Sequence, residues 1–274
     1  MSFNKQNQNH KNYLMLVEFC KFLRQNGDKL FDKDSKLCLR SDQLTVLHEY
    51  LQQIIHRDRL SHENTDKYSR RKSSVLNLTN TKEFILLYQS NQLHFIQDFL
   101  FKITSLKITS NLGQTSINDS IRLNIFGSIT YLELKNIPVL NIYDLENLRK
   151  QLETLIAFKS IAKVQDLIQS CGADQSSPSS WPKLNTLKLS YNYLSSLDDS
   201  FRLAASIEVL DLSHNNLKNC EQFLHNLPKL KRINLSFNKL EEIPSISESE
   251  STSQLEYLDL SYNNIEKINA SSKL

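Results

Sequence analysis

Residues 184–194 read LNTLKLSYNYL, in which leucine and asparagine follow the spacing L-x-x-L-x-L-x-x-N-x-L. Three further copies of this spacing are 207–217 (IEVLDLSHNNL), 230–240 (LKRINLSFNKL) and 255–265 (LEYLDLSYNNI). The asparagines of successive copies are 23, 23 and 25 residues apart. Repetition at a period of this size predicts stacked structural units, because one unit alone cannot bury its apolar face.

The spacing is that of the leucine-rich-repeat template, in which the L-x-L core is a short strand. Alternate side chains of a strand point to opposite faces, so the leucines should point inward and the residues between them should line a concave surface. The predicted fold class is therefore α/β, a leucine-rich-repeat solenoid with parallel strands on the concave face and helices and loops on the convex face. An amide at the end of each strand can hydrogen-bond to backbone groups of neighbouring turns. The predicted structural asparagines are Asn192, Asn215, Asn238 and Asn263.

Weaker copies of the spacing begin upstream at Ile103, Ile129 and Leu152. Residues 160–170 then carry apolar side chains at helical spacing, which predicts a convex-side helix before a loop over 171–182. The solenoid is accordingly expected to span 103–274. It is also expected to be truncated, since the chain stops just after a repeat strand without a capping segment.

Residues 9–102 lack the repeat, and we expect them to form a helical cap over the first turn of the solenoid. An amphipathic pattern predicts a helix over 12–25 that ends at Asn26-Gly27. The remaining predicted elements are a helix capped by Ser41 that continues to about Ile55, a polar loop over 56–74, and a helix over 92–102.

Composition excludes several classes of function. The net charge is only +3, from 33 basic and 30 acidic residues, whereas nucleic-acid binding usually requires a clear basic excess. The four glycines are all at least 14 residues apart, so no glycine-rich loop can hold a phosphate. The cysteines match no zinc template, and no nucleophile has a recognisable base. We therefore expect no catalytic residues, metal, cofactor or small-molecule substrate.

The sequence also bears on location. No apolar run approaches the roughly 18 to 20 residues of a membrane span, and the polar N-terminus does not resemble a signal peptide. Scattered cysteines are typical of reduced thiols, so we expect a cytoplasmic protein. The ending Ser272-Lys273-Leu274 would be a peroxisomal address if it were the true C-terminus.

The order of the elements resembles the N-terminal region of the serine/threonine kinase 11-interacting protein family. The motifs that carry this resemblance are QLETLI at 151–156, Ser170-Cys171-Gly172, Leu197-Asp198-Asp199-Ser200, Leu212-Ser213-His214-Asn215 and Phe22-Leu23-Arg24-x-x-Gly27-Asp28. The resemblance implies a cytoplasmic scaffold that binds a serine/threonine kinase and influences where that kinase lies. The repeats alone fit a generic adaptor for a phosphatase, vesicle or cytoskeletal partner equally well.

A candidate partner-binding surface follows from the residue just before each asparagine, which is aromatic or imidazole in all four copies. These residues are Tyr191, His214, Phe237 and Tyr262. Aromatic side chains are favoured at protein interfaces, and Lys188, Asp211 and Asp259 add charges that would orient a partner. The alternative is that the rings only pack against neighbouring turns.

A separate basic motif, Arg70-Arg71-Lys72-Ser73, resembles a site for a basophilic kinase. Phosphorylation of Ser73 would add up to about two negative charges beside three positive ones. The alternative is an unmodified, solvated loop.

Overall fold

The computed structural model describes residues 2–32, 34–62, 82–89, 91–110, 120–220, 224–244 and 254–266. Its strands are β1 (Leu37–Arg40), β2 (Ser105–Thr109), β3 (Ile121–Arg122), β4 (Tyr131–Lys135), β5 (Ile142–Tyr143), β6 (Thr154–Phe158), β7 (Thr186–Lys188), β8 (Val209–Asp211), β9 (Arg232–Asn234) and β10 (Tyr257–Asp259). Its α-helices are α1 (Ser2–Leu30), α2 (Ser41–His62), α3 (Lys82–Gln89), α4 (Gln92–Lys102) and α5 (Val164–Ile168). Short 3₁₀ turns connect several of the later strands.

Eight of the strands form one parallel sheet in the order β1-β2-β4-β6-β7-β8-β9-β10. Strands β3 and β5 pair separately, also in parallel. The predicted fold class, a leucine-rich-repeat solenoid with parallel strands, is confirmed. The three upstream copies of the spacing become β2, β4 and β6, which join the same sheet as the four clear repeats.

The apolar side chains at the centre of successive strands are in register. Leu187 lies opposite Leu210, and Leu210 lies opposite Ile233 on the next strand. All three are at most 1% exposed. Each strand therefore adds one buried side chain to a continuous core. Complete burial of such a side chain stabilises the fold by about 1.5–3 kcal/mol.

The cap region departs from the purely helical expectation, because β1 pairs with β2 and forms the edge of the sheet. Leu37 and Leu39 are buried, whereas Cys38 between them is exposed. Four alternating residues are too short a pattern to identify a strand without its neighbour. The sequence therefore predicted α1, α2 and α4 in this region and missed the strand.

The helix boundaries also differ from expectation. Helix α1 passes through Asn26-Gly27, where it was predicted to end. A Cβ atom on Gly27 would lie 2.9 Å from the ring of Phe99, so this glycine allows close packing against α4 instead of ending the helix. Helix α2 continues beyond Ile55 to His62, so the loop predicted over 56–74 is wrong at its start. The rest of that loop lies outside the described residues, and α3 was not predicted.

Helix α5 is shorter than the predicted 160–170. The backbone N–H groups of Ser160 and Ile161 donate to the Asn192 side chain at 2.8 and 3.1 Å, which draws the start of this segment away from helical hydrogen bonding. Following α5, Trp181 is 1% exposed and its indole N–H donates to the Ile168 carbonyl at 2.8 Å. The predicted loop over 171–182 is thus partly pinned to the core.

Arg149 holds the same loop in place from inside the protein, since this residue is only 5% exposed. Its guanidinium donates to Cys171 Sγ at 2.7 Å, Ser176 Oγ at 2.8 Å and the Ser177 carbonyl at 3.1 Å. Burial raises the pKa of the Cys171 thiol, and the opposing effect of Arg149 does not cancel this. The thiol is therefore neutral, and the Arg149 cation is bound by neutral acceptors only. These hydrogen bonds fix the segment after α5 against the solenoid.

None of the described helices is long and apolar enough to cross a membrane.

Candidate protein-binding surface

The repeat asparagines set the geometry at the end of each strand. The Asn215 side-chain oxygen accepts hydrogen bonds from the backbone N–H groups of Asn192 and Leu194, both at 3.0 Å. Its amide nitrogen donates to the carbonyls of Leu189 and Leu212, both at 2.9 Å. Asn215 is 6% exposed, so it bonds to buried backbone groups of two successive repeats. Asn192, Asn238 and Asn263 bond to the backbone in the same way.

The residue before each of these asparagines has a left-handed backbone. The φ angles are 60° at Tyr191 and 54° at His214, Phe237 and Tyr262. This conformation is unfavourable for a bulky side chain by roughly 1–2 kcal/mol. Backbone hydrogen bonds between repeats offset it, such as Phe237 N–H to the Ser261 carbonyl at 2.9 Å. The turn therefore directs the asparagine inward and the ring outward.

The four rings form a continuous stack, which we call the aromatic ladder (Tyr191, His214, Phe237 and Tyr262). Adjacent ring centroids are 4.1, 4.2 and 4.1 Å apart, and adjacent planes are inclined by 10–11°. The rings remain accessible, since Tyr191 is 39%, Phe237 42% and Tyr262 73% exposed. The ring faces pack against each other, as expected if the rings only contact neighbouring turns. Solvent also reaches the side chains, as a partner-binding surface requires.

Sequence reasoning missed an extension of the ladder. The Phe158 ring lies 5.0 Å from the Tyr191 ring at an inclination of 43°. Phe158 is the last residue of β6 and precedes the turn position, which Lys159 occupies in this repeat with a φ of 48°. The Nζ atoms of Lys135 and Lys159 lie 5.4 and 5.6 Å from the centre of the Phe158 ring. Only the pairing of β4 with β6 brings Lys135 to this ring.

The three charged candidates lie on the open face of the sheet, opposite the core. Lys188 and Asp211 are register partners on β7 and β8, and Asp259 follows on β10. Both aspartates also accept hydrogen bonds from the serine two residues later in the chain. Asp211 accepts from the Ser213 N–H at 3.0 Å, and Asp259 accepts from the Ser261 N–H and hydroxyl at 3.0 and 2.7 Å. The hydrogen bonds from Ser261 lower the pKa of the Asp259 carboxyl.

A second charged group on this face was not anticipated. Glu133 on β4 accepts from Lys107 at 2.5 Å and from Lys36 at 3.3 Å, and Lys36 also contacts the Tyr131 hydroxyl. Burial acts to raise the pKa of Glu133, but the two lysines outweigh it, and the pKa is lowered. The carboxylate thus stays charged at neutral pH and links β4 to β2 and to the residue just before β1.

Other types of site find little support in the part of the chain that the structure describes. No group of three or more His, Cys, Asp and Glu side chains there is arranged to hold a metal ion. Asp198, in a pair of adjacent carboxylates, accepts from the backbone N–H groups of Ser200 at 3.0 Å and Gln165 at 3.1 Å. This aspartate is therefore a helix cap. Ser73 lies outside the described residues.

Family models for leucine-rich repeats match three overlapping or adjacent parts of the chain. The matched residues are 172–217 (leucine rich repeat), 205–248 (leucine rich repeats, two copies) and 254–273 (leucine rich repeat). This chain is a leucine-rich-repeat protein. The matches cover the four clear repeats, whereas the sheet of this leucine-rich-repeat protein begins much earlier, at β1.

Curated relatives match a larger part of the chain. The human serine/threonine-protein kinase 11-interacting protein is 33% identical over 195 residues, which is 64% of this chain and 18% of the relative. The chicken protein of the same name is 30% identical over 254 residues, which is 93% of this chain and 22% of the relative. Bovine fibromodulin is 29% identical over 202 residues, which is 66% of this chain and 52% of the relative.

The resemblance to the kinase 11-interacting proteins is thus confirmed. This leucine-rich-repeat protein spans about a fifth of the length of those relatives. It is related to kinase-interacting proteins, which indicates a role in protein interaction.

Proposed function

We propose that this leucine-rich-repeat protein is a non-catalytic scaffold that binds a serine/threonine kinase of the kinase 11 type in the cytoplasm and influences where the kinase lies. The observation that carries the proposal is the similarity, at 30–33% identity, to two relatives named for interaction with that kinase. The similarity to the chicken relative extends over 93% of the chain, so it includes the helices and early strands as well as the clear repeats.

The aromatic ladder is the surface that we assign to the kinase. It combines three features of interface hot spots, namely large aromatic side chains, accessibility, and a rigid arrangement that leaves little conformational entropy to lose on binding. Stacking at about 4 Å fixes each ring against the next. A partner can therefore contact several rings without ordering them first.

The test is direct binding between the full chain and purified serine/threonine-protein kinase 11, measured by biolayer interferometry. The informative variant carries Tyr191→Asn and Phe237→Asn together. Asparagine tolerates the left-handed backbone, and Asn136 has this conformation in an earlier repeat with a φ of 57°. Loss of two hot-spot rings should weaken binding by about thirtyfold or more, which corresponds to ~2 kcal/mol.

Tyr193→Asn is the matched control. Tyr193 has the same φ of 60° as Tyr191 and is 69% exposed, but it is not part of the ladder. Binding by this variant should stay within about twofold of the wild type. A folded wild-type chain that does not bind the kinase contradicts the kinase assignment, and a double variant that binds as the wild type does contradicts the assignment of the surface.

A generic adaptor is the second candidate, because bovine fibromodulin shares comparable identity over two thirds of the chain without a kinase in its name. Affinity purification followed by mass spectrometry distinguishes the two. Enrichment of a phosphatase, vesicle or cytoskeletal protein that depends on the ladder, without the kinase, would favour the adaptor.

A further inference from the structure

The aromatic ladder begins beside a pair of lysines, which we call the lysine pair (Lys135 and Lys159). Both side chains are exposed, and both approach the ring of Phe158 within 5.6 Å. Neither forms an ion pair with any residue that the structure describes. By contrast, Lys36 and Lys107 on the same face are already bound to Glu133.

The positions of the two lysines are set by the backbone. Lys135 is the register partner of Phe158, and Lys159 occupies the left-handed turn that a ladder ring occupies in the later repeats. On the next strand, the register partner of Ile156 is Lys188, which is also a cation. Two cations therefore flank the first ring, whereas Lys188 has the carboxylate Asp211 as its register partner on β8. Glu133, the carboxylate of β4, is already bound by two other lysines.

We propose that the lysine pair and the start of the aromatic ladder together bind an extended segment of a partner protein in which an acidic residue lies two positions from an aromatic or aliphatic residue. Two ammonium groups that form no ion pair within the described part of the chain provide the attraction for a carboxylate. The Tyr191 ring lies 5.0 Å from Phe158, and the His214 ring lies 4.1 Å from Tyr191. Side chains two residues apart in an extended peptide are about 6.6 Å apart. This spacing is comparable with the 5.4 and 5.6 Å that separate the two ammonium groups from the centre of the Phe158 ring, where the line of rings begins.

This inference rests on the proposed protein-binding role and specifies the chemical character of the segment that is bound. The test uses random peptides displayed on phage and selected on the immobilised full chain. Selected sequences should carry Asp or Glu two positions from an apolar residue. One such peptide is then synthesised with a fluorophore, and its affinity is measured by fluorescence anisotropy at two salt concentrations.

The informative variant is Lys135→Ser with Lys159→Asn, in which asparagine keeps the left-handed turn. It should bind the acidic peptide at least about tenfold more weakly and with a smaller salt dependence. Lys135→Arg with Lys159→Arg should restore binding, because the charge returns. The control is Lys183→Ser with Lys229→Ser, two exposed lysines that precede β7 and β9 and belong to no strand of the sheet. It should bind within about twofold of the wild type.

Several outcomes would overturn the inference. These are the absence of any enriched peptide, enrichment without an acidic residue, enrichment of basic peptides, binding only after serine phosphorylation of the peptide, or equal loss of affinity in the control. The result is separable from the kinase assignment. Acidic peptides that bind through the lysine pair, together with a kinase that does not bind, would support this surface and refute only the choice of partner.

Discussion

At the scale of single residues, the repeat asparagine has a larger structural role than its size suggests. Asn215 forms hydrogen bonds to the backbone of two repeats, and its removal leaves several buried groups without partners. We expect Asn215→Ala to lower the free energy of unfolding by about 3 kcal/mol, measured by urea denaturation. Asn216→Ala is the control, because that side chain forms one long hydrogen bond at 3.5 Å and should change stability by under about 0.5 kcal/mol. Equal effects would show that the buried network contributes little.

Sequence could predict the asparagines and the ladder because their positions recur at a fixed offset from the leucines. It could not predict that Lys135 lies beside Phe158 and Lys159. In that repeat the aromatic residue lies one position early, and a lysine occupies the turn. The contact between Lys135 and Phe158 depends on the register of β4 against β6, and no local sequence pattern determines that register.

At the scale of elements, β1 illustrates the limit of local signals. Residues 37–40 become a strand because β2, more than 60 residues later in the chain, offers a free edge. The clear repeats differ, since their local period and their stacking favour the same structure. In the cap, helical periodicity predicted α1, α2 and α4, but helix length depends on packing, as with Gly27 against Phe99.

The contribution of β1 can be measured by comparing two positions on opposite faces of this strand. Leu39 is 2% exposed and packs in the core, whereas Cys38 points to the open face. We expect Leu39→Ala to reduce stability by about 2–5 kcal/mol and to speed hydrogen exchange of the β2 amides. Cys38→Ala should leave both quantities nearly unchanged. Unaltered exchange in β2 after Leu39→Ala would mean that β1 does not protect the sheet edge.

At the scale of the whole molecule, one sheet connects the cap and every repeat, so each strand is stabilised mainly by its two neighbours. This nearest-neighbour arrangement predicts that the position of a substitution along the sheet determines its effect. Leu210 on β8 lies between Leu187 and Ile233, whereas Leu258 occupies the equivalent place on β10, which ends the described sheet on the side opposite β1. Leu210 is 1% exposed, and Leu258 is only partly buried.

We therefore expect Leu210→Ala to lower the free energy of unfolding by about 2–5 kcal/mol, and Leu258→Ala to lower it by less than half as much. Hydrogen exchange should show why, because loss of Leu210 weakens the protection of both β7 and β9, while loss of Leu258 affects β9 alone. The two substitutions remove the same atoms from the same repeat position. The difference in strand propensity between leucine and alanine is therefore the same in both and does not affect the comparison. Equal destabilisation by both, with the same pattern of exchange, would indicate a molecule that unfolds as one unit without regard to distance along the sheet.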